Sequence, residues 1–259
     1  MKKSLAVLFI LSNYYVHVAA QSLVNTPSYH IDTAYYKEPD AFKRMLPKLW
    51  VLPTAAIGYG LISLHNGELK ELDQQEKYEV AVEHPHRPIH IDNYLQWSPA
   101  AAVYALNVMG VNGKHNFTDR SVIYGISTVI MASTVFATKD ITHQLRPDGS
   151  DHNSFPSGHT ATAFAAAEFM RKEYQDVSIW YGVAGYAAAA TTGYLRMYNN
   201  KHWLSDVVAG AGVGILSTDL AYLLYPTVKR LVTKKDHLST IAMPYYQDGT
   251  IGLSIVHHF

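Results

Sequence analysis

The sequence predicts an all-α fold, a six-helix bundle carrying a small C-terminal β-hairpin. Six apolar stretches, each longer than an ordinary strand, point to it. Ala, Leu and Met are common within them, as helices favour. The tail reads as two short runs, Ser239–Tyr246 and Thr250–His257, joined by Asp248-Gly249, a strong hairpin turn signal.

The elements follow in order. Residues 1–20 have the pattern of a secretory signal peptide: Lys2-Lys3, an apolar run from Leu5 to Leu11, and small residues closing at Val18-Ala19-Ala20. Asn13-Tyr14-Tyr15 interrupts the apolar part and leaves it short for a spanning helix. Residues 21–45 form a polar, aromatic lead-in broken by Pro27 and Pro39. The helical domain, 46–228, holds the stretches Leu46–Leu64, Ser98–Val111, Ser121–Thr138, Ser157–Tyr174, Ile179–Leu195 and Leu204–Tyr225. Ser98-Pro99 suggests a cap and a first-turn proline, Thr118 or Asp119 a cap for the third helix, and Pro226 a stop for the sixth. The charged segment Asn66–Tyr94 has room for a short helix near Glu68–Val80. Residues 229–259 are a basic linker and the hairpin.

Composition narrows the function. The 259 residues contain 21 Lys plus Arg against 21 Asp plus Glu, so the net charge is zero and a nucleic-acid partner is not expected. With no cysteine, disulfides, thiolate catalysis and Cys-bound zinc are all excluded.

Three ordered clusters carry chemistry. In the first, Lys139 and Arg146, followed by Pro147, offer two cations just past the third helix. Pro156-Ser157-Gly158-His159 then opens the fourth helix, where free N–H groups make an anion site and glycine lets a ligand approach the backbone. The third cluster is Arg196, His202 and Asp206, in which the i, i+4 spacing puts the histidine and the carboxylate on one face. Asp206 can hold the proton-bearing ring nitrogen and leave the other free to attack phosphorus, while His159 can protonate a leaving oxygen. Each cluster alone has a plain reading: a solvated basic helix end, a capping motif, a surface His–Asp pair. Together they are what phosphoryl transfer needs, because its transition state spreads charge over the equatorial oxygens. His84, His86 and His90 form a His/Pro-rich cluster without familiar zinc-ligand spacing, and His143 and His152 fall in the same loop as the first two clusters. Glu168 and Asp219, inside apolar helices, read as facing solvent or a partner.

These residues resemble the type 2 phosphatidic acid phosphatase and vanadium haloperoxidase superfamily. Its signature is Lys-x6-Arg-Pro, then Pro-Ser-Gly-His, then Ser-Arg-x5-His-x3-Asp, and the likeness covers about Ser98 to Tyr225. The resemblance implies His202 as nucleophile forming a phosphohistidine, Asp206 as its orienter and His159 as general acid. Lys139, Arg146 and Arg196, with Ser157 and the Gly158 backbone, would hold the phosphate, and phosphatase work would need no metal or other cofactor. Leu195 stands where the family usually has serine, and the Pro147–Pro156 loop is short, which favours an open pocket.

The resemblance leaves several readings open. One is a metal-independent phosphatase acting on phosphate monoesters, lipid-linked ones included, with lipid A, phosphatidate and undecaprenyl pyrophosphate as candidates. A second is a soluble periplasmic acid phosphatase with small-molecule substrates. A haloperoxidase fits less well, since those proteins are generally larger and the short loop leaves little room. An envelope anion-binding protein that has lost catalysis is favoured only by Leu195. Six spans would place Arg171, Lys172, Lys229 and Arg230 on the cytoplasmic side. A cleaved signal would start the chain outside, and three spans would then carry Lys139 and Arg146 to the wrong side. Mean hydropathy is also only −0.05. The expectation is therefore a domain on the periplasmic side of a bacterial envelope, associated with the membrane rather than threaded through it six times.

Overall fold

The computed structural model describes residues 40–233, 240–247 and 250–257, with side chains from Trp50 to Leu231. The expected signal peptide, most of the lead-in and the Asp248-Gly249 turn lie outside them. The chain divides into two compact units, Met1–Arg44 and Met45–Phe259. Everything below concerns the second, apart from the first residues of α1.

The elements are α1 (Asp40–Ser63), α2 (Gly67–Lys77, running on through a π-helical turn at Tyr78–Val82), α3 (Asp92–Leu95) and α4 (Ser98–Val108). They continue with α5 (Phe117–Thr142), α6 (Gly158–Tyr174), α7 (Ile179–Tyr198) and α8 (Leu204–Thr233). Strand β1 (Thr240–Gln247) pairs antiparallel with β2 (Thr250–His257), Thr240 opposite His257 and Gln247 opposite Thr250. The fold is thus all-α in its body, and each of the six apolar stretches coincides with a helix. The short α3 had no signal in the sequence.

Helix α6 is the axis of the bundle. Ala161, Ala163, Ala165, Ala166 and Ala167 are all buried, so neighbours can approach its backbone from several sides. Helix α8 does so most closely. A methyl group at Gly210 would stand 2.6 Å from the Ser157 carbonyl oxygen, so only glycine allows this contact. On another face, Phe169, Met170 and Tyr174 pack with Ala100 and Val103 of α4, and α5 meets α8 through Ile123, Ala221 and Tyr225.

Several expectations need correction. Helix α5 starts earlier and ends later than its apolar core, with Asn116 as its cap through Oδ1 to the Asp119 N–H at 2.8 Å. Lys139 therefore lies inside the last turns of α5, not beyond it. Ser98 does not cap α4; its hydroxyl donates back to the Leu95 carbonyl at 2.8 Å. Pro226 does not stop α8, which runs on to Thr233. Losing one N–H costs a helix about 3 kcal/mol, and the turns beyond are anchored by Lys229 Nζ on Asp119 Oδ2 at 2.7 Å. Glu168 and Asp219 face the bundle interior, not solvent. Glu168 accepts from Arg171 Nε at 2.7 Å and from the Tyr186 hydroxyl at 2.6 Å, while Lys172 reaches Asp219 at 2.8 Å. Arg171 and Lys172 are engaged in the same network.

Candidate active site

The site is assembled where the start of α6, the last turns of α5 and the α7–α8 turn meet. Ser157 Oγ caps α6, accepting from the Thr160 N–H at 3.4 Å and its hydroxyl at 2.8 Å. At Gly158 an added Cβ would meet nothing nearer than Val135 at 3.8 Å. Packing does not demand glycine there, and the first-turn N–H groups keep an open approach.

The α7–α8 turn is closed by Arg196, whose carbonyl accepts the N–H groups of Lys201 at 2.9 Å and His202 at 3.3 Å. His202 Nδ1 lies 3.4 Å from Asp206 Oδ2, both side chains almost fully buried. That oxygen also accepts the Trp203 N–H at 2.9 Å and the Ser154 hydroxyl. Asp206 is therefore held by two further donors while it faces the imidazole. Its carbonyl in turn accepts the Ser157 N–H at 3.0 Å, which joins the second cluster to the third.

The first cluster arrives through the loop after α5. Lys139 Nζ donates to the carbonyls of Asn153 and Ser154, next to the Ser154 hydroxyl on Asp206. Arg146 is fixed by Asp151, Nε to Oδ1 at 2.9 Å, and its N–H donates to the Asp151 carbonyl at 3.0 Å. Lys77 Nζ on the Pro147 carbonyl at 2.7 Å and Trp203 Nε1 on the Leu145 carbonyl at 2.9 Å tie the same loop down. An open groove of about 680 Å³ runs along Lys139, Arg146, Asp151 and Asn153.

Burial pushes the His202 imidazole down to about 4; Asp206 opposes this, while Arg196 and Lys139 add to it. His159 is also pushed down to about 4, by burial and then by Arg196, His202 and Arg146, with Asp92 opposing. Both rings are therefore neutral near pH 7. Eight buried side-chain polar atoms make no hydrogen bond among the described residues, and four of them are here: Asp92 Oδ1, Arg196 Nε, Asp206 Oδ1, and His202 Nδ1, which faces Asp206 Oδ2 at the ion-pair distance of 3.4 Å. Unsatisfied buried groups are costly and concentrate where a ligand or reaction uses them.

All eight residues singled out from the sequence thus meet in one region. Leu195 is buried. The histidines of the 84–90 segment do not converge: His84 Nδ1 contacts the Glu79 carbonyl, whereas His86 stacks on Tyr198 with ring centroids 3.5 Å apart. No group of three potential metal-ligating side chains occurs among the described residues. His143, in the left-handed conformation, ends α5. Sequence reasoning missed Ser154, Asp151, Asp92 and Asn93. The first two lie in the loop between recognised clusters and offered that position as a signal. Asp92 reaches Arg196 across 104 positions, and Asn93 reaches His159 across 66, distances at which no local pattern gives warning.

Residues 120–230 match the PAP2 superfamily model. A curated relative, the lipid A 1-phosphatase of Porphyromonas gingivalis, is 38% identical over 167 residues, or 64% of this chain and 37% of the relative. The chain therefore spans little more than a third of that relative's length. Among solved structures, the transmembrane PAP2-type phosphatidylglycerolphosphate phosphatase of Bacillus subtilis aligns with a TM-score of 0.47 and 19% identity, over 69% of this chain and 98% of that one. LpxE of Aquifex aeolicus aligns with a TM-score of 0.37 and 20% identity, over 64% and 92%. Helices α5, at Phe117–Thr142, and α8, over Leu204–Leu231, are long and apolar enough to cross a membrane.

Proposed function

We propose that this chain is a metal-independent phosphatase that removes phosphate from lipid-linked substrates through a phosphohistidine on His202. The observation that carries the reading is the buried His202–Asp206 contact of 3.4 Å, set among three cations and the start of α6. Asp206 keeps the proton on Nδ1, and Nε2 presents its lone pair to phosphorus. Lys139, Arg146, Arg196 and the α6 N–H groups neutralise the equatorial oxygens as charge spreads onto them. The P–Nε2 bond forms as the P–O bond to the leaving group breaks, and His159 gives its proton to the departing oxygen. Water then attacks phosphorus, His159 takes back a proton, and the electron pair of the P–N bond returns to His202.

The lipid part of the reading is supported by the relative's name and by α5 and α8. It is also supported by an apolar groove of about 350 Å³ whose lining includes Leu52, Phe164, Tyr194, Met197, Val207 and Ile215. Met197 and Val207, in its lining, adjoin Arg196 and Asp206 in sequence. Lipid A, phosphatidate and undecaprenyl pyrophosphate are the candidate substrates. The leader pattern of residues 1–20 motivates placing the work on the periplasmic side of the membrane.

The test is phosphate release by purified protein from these three lipids and from p-nitrophenyl phosphate, with and without vanadate. Lipid turnover abolished by vanadate and by His202→Ala supports the proposal. Turnover of the small ester alone would favour a soluble acid phosphatase, and vanadate binding without any turnover would favour an anion-binding protein. Carbonate extraction addresses location separately: release into the soluble fraction rules out spanning helices.

A further inference from the structure

We propose that Asn93 and Asp92, neighbours on the short α3, are positioning residues for the two ends of the reaction. Asn93 would hold the ring of the acid His159, and Asp92 the guanidinium of Arg196. The inference rests on the phosphatase reading above and adds two residues that lie outside the three clusters.

The geometry is specific. Asn93 Oδ1 lies 2.9 Å from His159 Nε2. An amide oxygen only accepts, so Nε2 carries the proton and the neutral ring is the Nε2–H tautomer. Nδ1 is then the nitrogen left for chemistry. As imidazolium, His159 gives the Nδ1 proton to the leaving oxygen; afterwards Nδ1 has a lone pair with which to take a proton from the attacking water. Nε2 keeps its proton and its hydrogen bond to Asn93 through both steps, so the ring does not need to turn over between them.

One residue earlier, Asp92 Oδ2 accepts from Arg196 Nη1 at 2.6 Å, and Asp92 is completely buried. The contact engages one arm of the guanidinium and leaves Nε, buried and unpartnered, together with Nη2. A fork with one arm pinned offers its remaining donors to an anion in a fixed orientation. The same carboxylate opposes the downward push on His159 from Arg196, His202 and Arg146.

α3 is itself anchored. Asn199 brackets Ile89, accepting its N–H at 2.9 Å and donating to its carbonyl at 2.7 Å. His86 Nε2 lies 2.6 Å from the Tyr198 carbonyl, and its ring stacks on Tyr198. The His/Pro-rich segment is thereby strapped across the end of α7, which delivers Asp92 and Asn93 to the site. That is a role for a cluster whose histidines do not gather for a metal.

The experiment combines kinetics with histidine-selective 15N NMR on the whole 259-residue chain in detergent. Asn93→Ala should lower kcat about 10- to 100-fold with KM little changed, a loss typical of removing the partner that orients a reacting imidazole. It should also abolish the Nε2–H tautomer preference of the His159 resonance. Asn93→Asp should raise the His159 pKa and carry the alkaline limb of the pH–rate profile upward, because a carboxylate favours the imidazolium. Asp92→Asn should instead raise KM and weaken vanadate binding, with the His159 tautomer kept. If His159→Ala is inactive while Asn93→Ala and Asn93→Asp leave both profile and resonance as in the wild type, the positioning role is wrong and the phosphatase reading stands. If His159→Ala retains full activity, the phosphatase assignment of His159 fails first.

Discussion

The Ser157 N–H donates to the Asp206 carbonyl at 3.0 Å, and this bond joins the residue that caps α6 to the first turn of α8. It spans the Pro-Ser-Gly-His cluster and the His-x3-Asp cluster, so the start of α6 and the first turn of α8 are tied together. The close approach at Gly210 keeps the two helices at that distance.

Gly210→Ala should therefore disturb the site as well as the fold. The added methyl meets backbone, which cannot swing aside, and overpacking of this kind costs about 1–3 kcal/mol. Urea unfolding should show the loss, and KM for the phosphate ester should rise as Ser157 is displaced. Gly58→Ala, in α1 with nothing within 4 Å of the new atom, should be neutral or slightly stabilising.

Ser154 is expected to matter through Asp206. With Ser154→Ala, the carboxylate keeps the Trp203 N–H and loses the hydroxyl, a hydrogen bond to a charged group worth about 1.5–3 kcal/mol. If about half of that bears on the transition state, kcat falls about 4- to 13-fold. His202→Ala should remove at least about 10³-fold, as losing a nucleophile does. Steady-state kinetics on one substrate separates these two sizes of effect.

Acid should destabilise the protein through its two site histidines. Both have folded values near 4 against an ordinary 6.5, so between those values the unfolded chain binds more protons than the folded one. The stability they contribute is complete above pH 6.5 and is lost progressively as pH falls toward 4. Unfolding midpoints measured across that window should fall less for His202→Gln than for wild type, because the variant has no imidazole to charge there. Vanadate bound between the cations should raise the His159 value, visible as a shifted NMR titration.

Leu195→Ser offers a smaller test. Leu195 is 7% exposed and precedes the Arg196 that holds the turn. Serine there should lower KM for the phosphate ester if its hydroxyl reaches the substrate oxygens. An unchanged KM would show that this position does not contact the substrate.

Much of the site was legible because its members come in short, spaced sets. His202 and Asp206 share a face by helical periodicity alone, and Ser157 caps a helix whose apolar run announces it. Helix ends were less legible: Asn116 captures the start of α5 with its side chain, and α8 runs on past Pro226, where Lys229 meets Asp119 of α5. The burial of Glu168 was hidden because, beyond its local i, i+3 neighbour Arg171, its partner Tyr186 reaches it only once α6 and α7 pack.

By itself, the sequence determined the helical body, the order of the three clusters and the residue types that can hold and transfer a phosphoryl group. Only the tertiary structure decided that Asp92 pairs with Arg196, that Asn93 meets His159, and that Ser154 holds the Asp206 carboxylate facing His202. Periodicity and capping act within a few residues of chain, so they can be read along it. Burial and the pairing of buried charges depend on surfaces that meet only after the helices pack.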